Sequence, residues 1–266
     1  MYRLDGTEWT AFEPSVDTMA DRGFLLGDGV FETFRIENGR IRNDELHASA
    51  LSESCTALDL TMPDWATVTA AIGAHADSGN RVGKLIVTRG PAPRGLTPVA
   101  EPRPQAFLQL SERPEPPAQV RLASVPIRRS ATSLAARYKT LSYADNLAAR
   151  RLAVAAGADM ALITADDGRL SGGDSANLFW LAGDTVQTPS LSCGARNGVM
   201  RQRVLAWLEA RNVDVEEVEA APTALLSADA VWMTNAVAGV MPVVTIDGRA
   251  LEHDHPLLAE LMAADL

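Results

Sequence analysis

The sequence predicts an α/β protein of the α+β kind, built from two domains. Three observations predict it. The chain has 266 residues, enough for one large domain or two modest ones, with a sizeable core. Its first half mixes helix-periodic segments with strands that turn back on themselves, the pattern of antiparallel α+β folds. A proline-rich, charged stretch, Ser111-Glu-Arg-Pro-Glu-Pro-Pro-Ala118, then separates this half from a second series of strands and helices. Proline lacks the N–H that a helix or a central strand requires, so this stretch reads as a linker. The predicted division is a small N-terminal domain over 1–113, a linker over 114–119 and a larger C-terminal domain over 120–266.

The elements follow in order. Gly27-Asp28-Gly29 reads as a tight turn. It leads into a strand at 31–36, an Asn38-Gly39 turn and a return through Arg40-Ile41, which together make a hairpin. Asn43 or Asp44 caps a helix with Leu46, Ala50, Leu51 and Leu58 on its apolar side. A second helix begins near Pro63, with Trp65, Val68 and Ile72 on one face. Strands follow at 82–88 and 106–110. The second half predicts a strand near 120–125, a helix over 143–156 and short strands at 158–164, 177–181 and 185–187. Asn197 is placed to cap a helix over 198–210. Strands at 213–218, 230–234 and 240–246 come next, and Pro256 opens a terminal helix.

Composition narrows the function. The net charge is −10 and the isoelectric point about 4.9, which argues against a nucleic-acid or anionic-membrane surface. A few clustered arginines still allow a small anionic substrate. No apolar run is long enough to span a bilayer, and Met1-Tyr-Arg-Leu-Asp has no signal-peptide character. Cys55 and Cys193 match no metal spacing. Two free thiols, no metal and a cytoplasmic setting are the expectation.

Lysine is nearly absent. Of 24 Lys+Arg residues, only Lys84 and Lys139 are lysines. Arginine stays protonated in proteins, whereas lysine can lose its proton and attack a carbonyl. Lys84 lies in a predicted strand. Lys139, in Arg137-Tyr-Lys-Thr-Leu-Ser-Tyr143, precedes a helix and is the candidate catalytic residue.

Several motifs occur in a specific order: Leu26-Gly-Asp-Gly-Val-Phe-Glu-Thr33, Thr88-Arg-Gly-Pro-Ala-Pro-Arg-Gly95, Lys139-Thr-Leu-Ser-Tyr143, Ser175-Ala-Asn-Leu-Phe-Trp180, Asn197-Gly-Val-Met-Arg201 and Thr234-Asn-Ala-Val-Ala-Gly-Val-Met-Pro-Val243. Together they resemble the class IV aminotransferase family, the fold-type-IV pyridoxal-phosphate enzymes. That family includes branched-chain and D-amino-acid aminotransferases and 4-amino-4-deoxychorismate lyase. Asn197-Gly198, Asn177-Leu-Phe-Trp180 and the 235–243 segment resemble the lyase most.

The resemblance implies a two-domain D-amino-acid-aminotransferase-like fold, an active site in the interdomain cleft and a homodimer. It implies that Lys139 carries pyridoxal 5′-phosphate and moves the substrate's proton. Gly198, Val199 and Met200 at a helix start, with Asn235 and Ala236, would receive the phosphate. Arg94, or Arg89 in the same loop, would take a substrate carboxylate. Thr33 would give a proton to the leaving product, with Phe31 on the same substrate-facing strand. His47 is read as structural. The lyase releases pyruvate and leaves 4-aminobenzoate, a folate precursor.

The pattern breaks in two places. Relatives carry a glutamate for the pyridine nitrogen five residues before the Asn of Asn-Leu-Phe, where this chain has Gly172. Asp174 is the nearest acid and a candidate replacement. Relatives also hold the phosphate with the arginine of His-x-x-Arg-Leu, where this chain has Ala50. Losing a charged hydrogen bond costs roughly 1.5–3 kcal/mol. Three outcomes stay open: substitutes such as Asp174 with Arg196 or Arg137, cofactor-free chemistry at Lys139, or a relative without activity. Among active readings, a lyase leads and a branched-chain or D-amino-acid aminotransferase is the alternative.

Overall fold

The computed structural model describes residues 1–5, 7–12, 19–76, 79–98 and 100–266. These form two compact units, Met1–Pro114 with Tyr138–Ser142, and Glu115–Arg137 with Tyr143–Leu266.

In the first unit the strands are β1 (Tyr2–Asp5), β2 (Glu8–Ala11), β3 (Gly29–Glu37), β4 (Arg40–Ile41), β5 (Arg81–Thr88) and β6 (Gln105–Glu112). The helices are α1 (Arg22–Leu26), α2 (Asp44–Ala57) and α3 (Trp65–His75). The sheet order is β2-β1-β6-β5-β3-β4, antiparallel at every pairing. The β3–β4 hairpin turns where predicted, with Asn38 and Gly39 both at positive φ, as a two-residue turn of matching twist requires. Val30, Phe34 and Ile36 alternate onto the core face and pack with Leu51, Cys55, Val68 and Ile72. Burial pushes the Cys55 thiol up to about 11, so it is inert.

The second unit contains β7 (Val120–Arg129), β8 (Met160–Ala165), β9 (Leu170–Gly173), β10 (Asn177–Ala182), β11 (Thr185–Pro189), β12 (Val215–Val218), β13 (Ala230–Asn235), β14 (Gly239–Ile246) and β15 (Arg249–Ala250). Its helices are α4 (Leu134–Arg137), α5 (Ala144–Ala155), α6 (Val199–Glu209) and α7 (Pro256–Ala263). The order is β12-β11-β10-β13-β14-β7-β8-β9, with β15 on β14. Parallel pairs join β7 to β8 and to β14. The α5 helix covers Ala123, Val125, Ala161 and Ile163 through Ala149 and Ala153. Met200, Val204, Leu258 and Leu261 of α6 and α7 pack on Phe179 and Trp232. Those two rings stack 5.8 Å apart across neighbouring strands. Among the described residues no helix is long and apolar enough to cross a membrane.

Three expectations need correction. Lys139, expected in the C-terminal domain, groups with the first unit. The reason is backbone pairing: Phe31 N–H donates to the Lys139 carbonyl at 2.8 Å, and Leu141 N–H to the Gly29 carbonyl at 2.9 Å. The N-cap of α6 is Gly198, in extended conformation, and not Asn197. The strands β1, β2 and β9 and helix α1 had not been expected. β9, Leu-Ser-Gly-Gly, is too short and glycine-rich to show a period.

Candidate active site

Lys139 lies on the edge of β3 beside a buried acid. Its Nζ is 3.8 Å from Glu32 Oε1, with the Glu32 side chain only 4% exposed. His47, on α2, reaches the same oxygen through Nδ1 at 2.9 Å. A carboxylate only accepts, so the imidazole donates its Nδ1–H here. His47 was read as structural; it stands one contact from the lysine. Sequence reading passed over Glu32, although a signal was present. It occupies the core-facing series Val30, Glu32, Phe34, Ile36, where an acid needs a partner.

Glycines make this approach of the lysine segment possible. A Cβ on Gly29 would lie 2.5 Å from the Val87 carbonyl oxygen and 2.7 Å from Leu141 Cδ1. Gly27, at φ +67, would collide with Ser142 Oγ at 2.8 Å. The Gly-Asp-Gly motif therefore serves close packing of the 138–142 segment as well as turning the chain. Gly29→Ala should destabilise the protein by about 1–3 kcal/mol, the usual cost of overpacking. Urea unfolding should show a lower midpoint at unchanged slope. An unaltered midpoint would mean that the segment gives way without cost.

Both lysines of the chain meet at one ring. Lys84 Nζ lies 4.6 Å and Lys139 Nζ 5.0 Å from the Phe31 centroid, within cation–π range. Thr33 pairs directly with Lys84 across β3 and β5, so the two share a sheet face, and both are partly exposed. The structure thus brings Lys139, Phe31, Thr33 and Lys84 together.

The two loop arginines behave otherwise. Arg89 is occupied structurally: its Nε donates to Asp28 Oδ2 at 2.9 Å, and its other nitrogens to the Leu58 and Asp59 carbonyls. Arg22 shares the same Asp28 oxygen at 2.8 Å. Burial raises the Asp28 pKa, but hydrogen bonds and charge from Arg89 and Arg22 outweigh it and leave the carboxyl below its usual range. Arg89 as carboxylate ligand is therefore corrected. Arg94 is exposed.

In the second unit, Asp174 is 2% exposed and fully engaged. Arg150 donates to both its oxygens, at 2.7 and 2.6 Å, and the Ala161 N–H adds a third bond at 2.9 Å. It pins α5 to β8 and is ion-paired with Arg150 instead of standing free for a ring nitrogen, which departs from its expected role. The physical reason is that β9 ends at Gly173, so Asp174 does not continue the strand's facing pattern. Gly172 itself sits at φ +138, a conformation that a glutamate would rarely adopt.

Gly198 has the geometry of a close backbone approach. A Cβ there would lie 2.4 Å from Asn177 Oδ1, while Asn177 Nδ2 donates to the Arg196 carbonyl at 2.7 Å. The Asn-Leu-Phe and Asn-Gly motifs thus form one locked turn. No side chain caps the first turn of α6, so its N–H groups are available to an anion. Val199 and Met200 are buried, Met200 in the α6 core. Asn235 Oδ1 accepts from the N–H groups of Val237 and Ala238 and shapes the turn containing Ala236. Among the described residues no group of three or more His, Cys, Asp or Glu is arranged for a metal ion.

Known proteins resemble this chain over most of its length. An aminodeoxychorismate lyase of Vibrio harveyi is 29% identical over 251 residues, covering 90% of each chain. A D-alanine aminotransferase of Bacillus licheniformis is 29% identical over 255 residues, 92% of this chain and 87% of that one. The crystal structure of 4-amino-4-deoxychorismate lyase from Pseudomonas aeruginosa superposes with a TM-score of 0.87 at 31% identity, covering 98% and 97% of the two chains. Residues 29–246 match the amino-transferase class IV family. With the lysine segment and the Asn-Gly turn before α6 both inside that span, the chain belongs to the class IV aminotransferases, a family of pyridoxal-phosphate-dependent transaminases and lyases.

Proposed function

We propose that this enzyme is a pyridoxal-phosphate-dependent lyase that releases pyruvate from a small anionic acid resembling aminodeoxychorismate. The observation that carries the reading is the Lys139 amine, partly exposed and 3.8 Å from the buried Glu32 carboxylate. An amine with a fixed acid–base neighbour is the group this chemistry needs.

Each unit carries a feature that the cofactor needs. Lys139 would carry the aldehyde, and the next side chain, Thr140, has a buried hydroxyl without a hydrogen-bond partner. The uncapped N–H groups at the start of α6 suit a phosphate. The ring nitrogen is the exception, because Gly172 has no side chain and Asp174 is engaged by Arg150. When bound, the cofactor supplies an electron sink for the carbon that loses its proton.

This chain's residues do the rest. The Lys139 amine takes the proton from the substrate carbon, and Glu32, held by His47, balances the ammonium that results. The Phe31 ring lies beneath that ammonium. Thr33, on the face shared with Lys84, gives a proton to the departing enolpyruvyl carbon. Lys84 offers a positive charge to an anionic substrate there. A hydroxyl at Thr33 and Asn197-Gly198 before α6 favour the lyase over a transaminase.

The test is direct. Protein mixed with pyridoxal phosphate and desalted is given aminodeoxychorismate without any keto acid. Equal amounts of pyruvate and 4-aminobenzoate are expected. Amine transfer that requires a keto acid would establish the transaminase instead. Failure to retain the cofactor would point to chemistry at Lys139 without it.

A further inference from the structure

The second unit holds two neighbouring guanidiniums that, among the described residues, form no hydrogen bond or ion pair with a carboxylate. Arg129, at the end of β7, donates from Nη2 to the Gly173 carbonyl at 3.0 Å and from Nη1 to Ser171 Oγ at 3.3 Å. Arg196, in the loop before α6, donates from Nη1 to Tyr143 Oη at 3.0 Å and from Nη2 to the Ala135 carbonyl at 3.3 Å. Its Nε is buried with no hydrogen-bond partner. All these acceptors are neutral. The acid that acts on Arg129, Asp174, has its oxygens taken by Arg150 and the Ala161 N–H.

The pair is unfavourable as it stands. Burial pulls the Arg129 pKa down to about 10, and the positive charge of Arg196 adds to the effect, with Tyr143 and Asp174 opposing. Charges withdrawn from water are ordinarily paired. Two of one sign side by side call for an anion from outside the chain.

The backbone also runs close beside Arg129. Gly172 and Gly194 flank Arg129, and both adopt backbone conformations reserved for glycine, at φ +138 and +74. A Cβ on Gly172 would stand 3.8 Å from Arg129 Nη1, and one on Gly194 3.4 Å from its Cγ. Arg196 leads two residues later into the uncapped start of α6, where the helix dipole also favours negative charge.

We propose that Arg129 and Arg196 form an oxyanion-binding site for a phosphate monoester or a carboxylate. Planar guanidinium forks match either group. The site lies wholly within the second unit and does not depend on the chemistry at Lys139.

Calorimetric titration of the full-length Lys139→Ala protein tests it, because that variant binds ligands without capturing an aldehyde. The probes are inorganic phosphate, pyridoxal 5′-phosphate, pyridoxal and 4-aminobenzoate. At least one anion should bind, and Arg196→Ala should weaken its Kd by about tenfold or more, the scale of one charge-assisted bond. Arg196→Lys should recover part of the loss. A loss confined to phosphate and pyridoxal phosphate identifies a phosphate site, and a loss confined to 4-aminobenzoate a carboxylate site. Arg129→Gln should repeat the pattern, with melting temperatures confirming that each variant is folded. Unchanged Kd values for every anion in folded Arg196→Ala and Arg129→Gln would overturn the proposal. Since no turnover is measured, failure of pyruvate release would leave it standing, and its own failure would leave the lyase reading untouched.

Discussion

Replacing Lys139 with alanine should abolish pyruvate release and the visible absorption of the cofactor-loaded protein together. Positioned proton transfer alone contributes about 10²–10⁴-fold, and the covalent link to the cofactor is lost as well. Lys139→Arg should be as inactive as the alanine variant. It keeps the charge near Glu32 but cannot present a free amine. Neither variant should unfold the protein, because the segment is held by main-chain bonds from Phe31 and Leu141 that involve no lysine side chain. Desalting after incubation with pyridoxal phosphate, followed by an absorption spectrum and a pyruvate assay, reads both effects. Substantial turnover by Lys139→Ala would remove the lysine from the mechanism.

Thr33→Ala should produce the second largest effect, a fall in pyruvate formation of about 10²–10⁴-fold, the range for a positioned proton donor. The cofactor spectrum should be unaltered, since the link to the cofactor is made at Lys139. A donor acting only in the transition state predicts equal falls in kcat and kcat/KM. Thr33→Ser keeps the hydroxyl and should restore most of the rate, whereas Thr33→Val should not. Direct pairing with Lys84 fixes the direction of the side chain, so the loss cannot be attributed to a strand that has slipped register. If Thr33→Ala releases pyruvate at the wild-type rate, the proton comes from elsewhere and the argument for a lyase loses its main residue.

Much of this protein was legible in its residues. The scarcity of lysine left Lys84 and Lys139, and the position of Lys139 before a helix made it the candidate before any geometry was available. The Asn38-Gly39 turn, the helix start near Pro63 and the Pro256 helix start were legible, because turns and caps depend on a few neighbouring side chains. The losses at Ala50 and Gly172 could also be seen by counting along the motifs.

What the sequence determined by itself was therefore local: the hairpin, most helix starts, the family pattern and Lys139 as the candidate amine. Tertiary structure alone decided which charges belong to whom. Asp174, the nearest acid by counting, is bound by Arg150 from a helix 24 positions earlier, and Arg89 is drawn to Asp28, 61 positions away. Glu32 and His47 meet across 15 positions. Charge–charge energy depends on distance in space and on burial, and neither is expressed by spacing along a chain. The candidate lysine stood out in the sequence, but its carboxylate neighbour Glu32 and the Arg129–Arg196 pair emerge only from the fold.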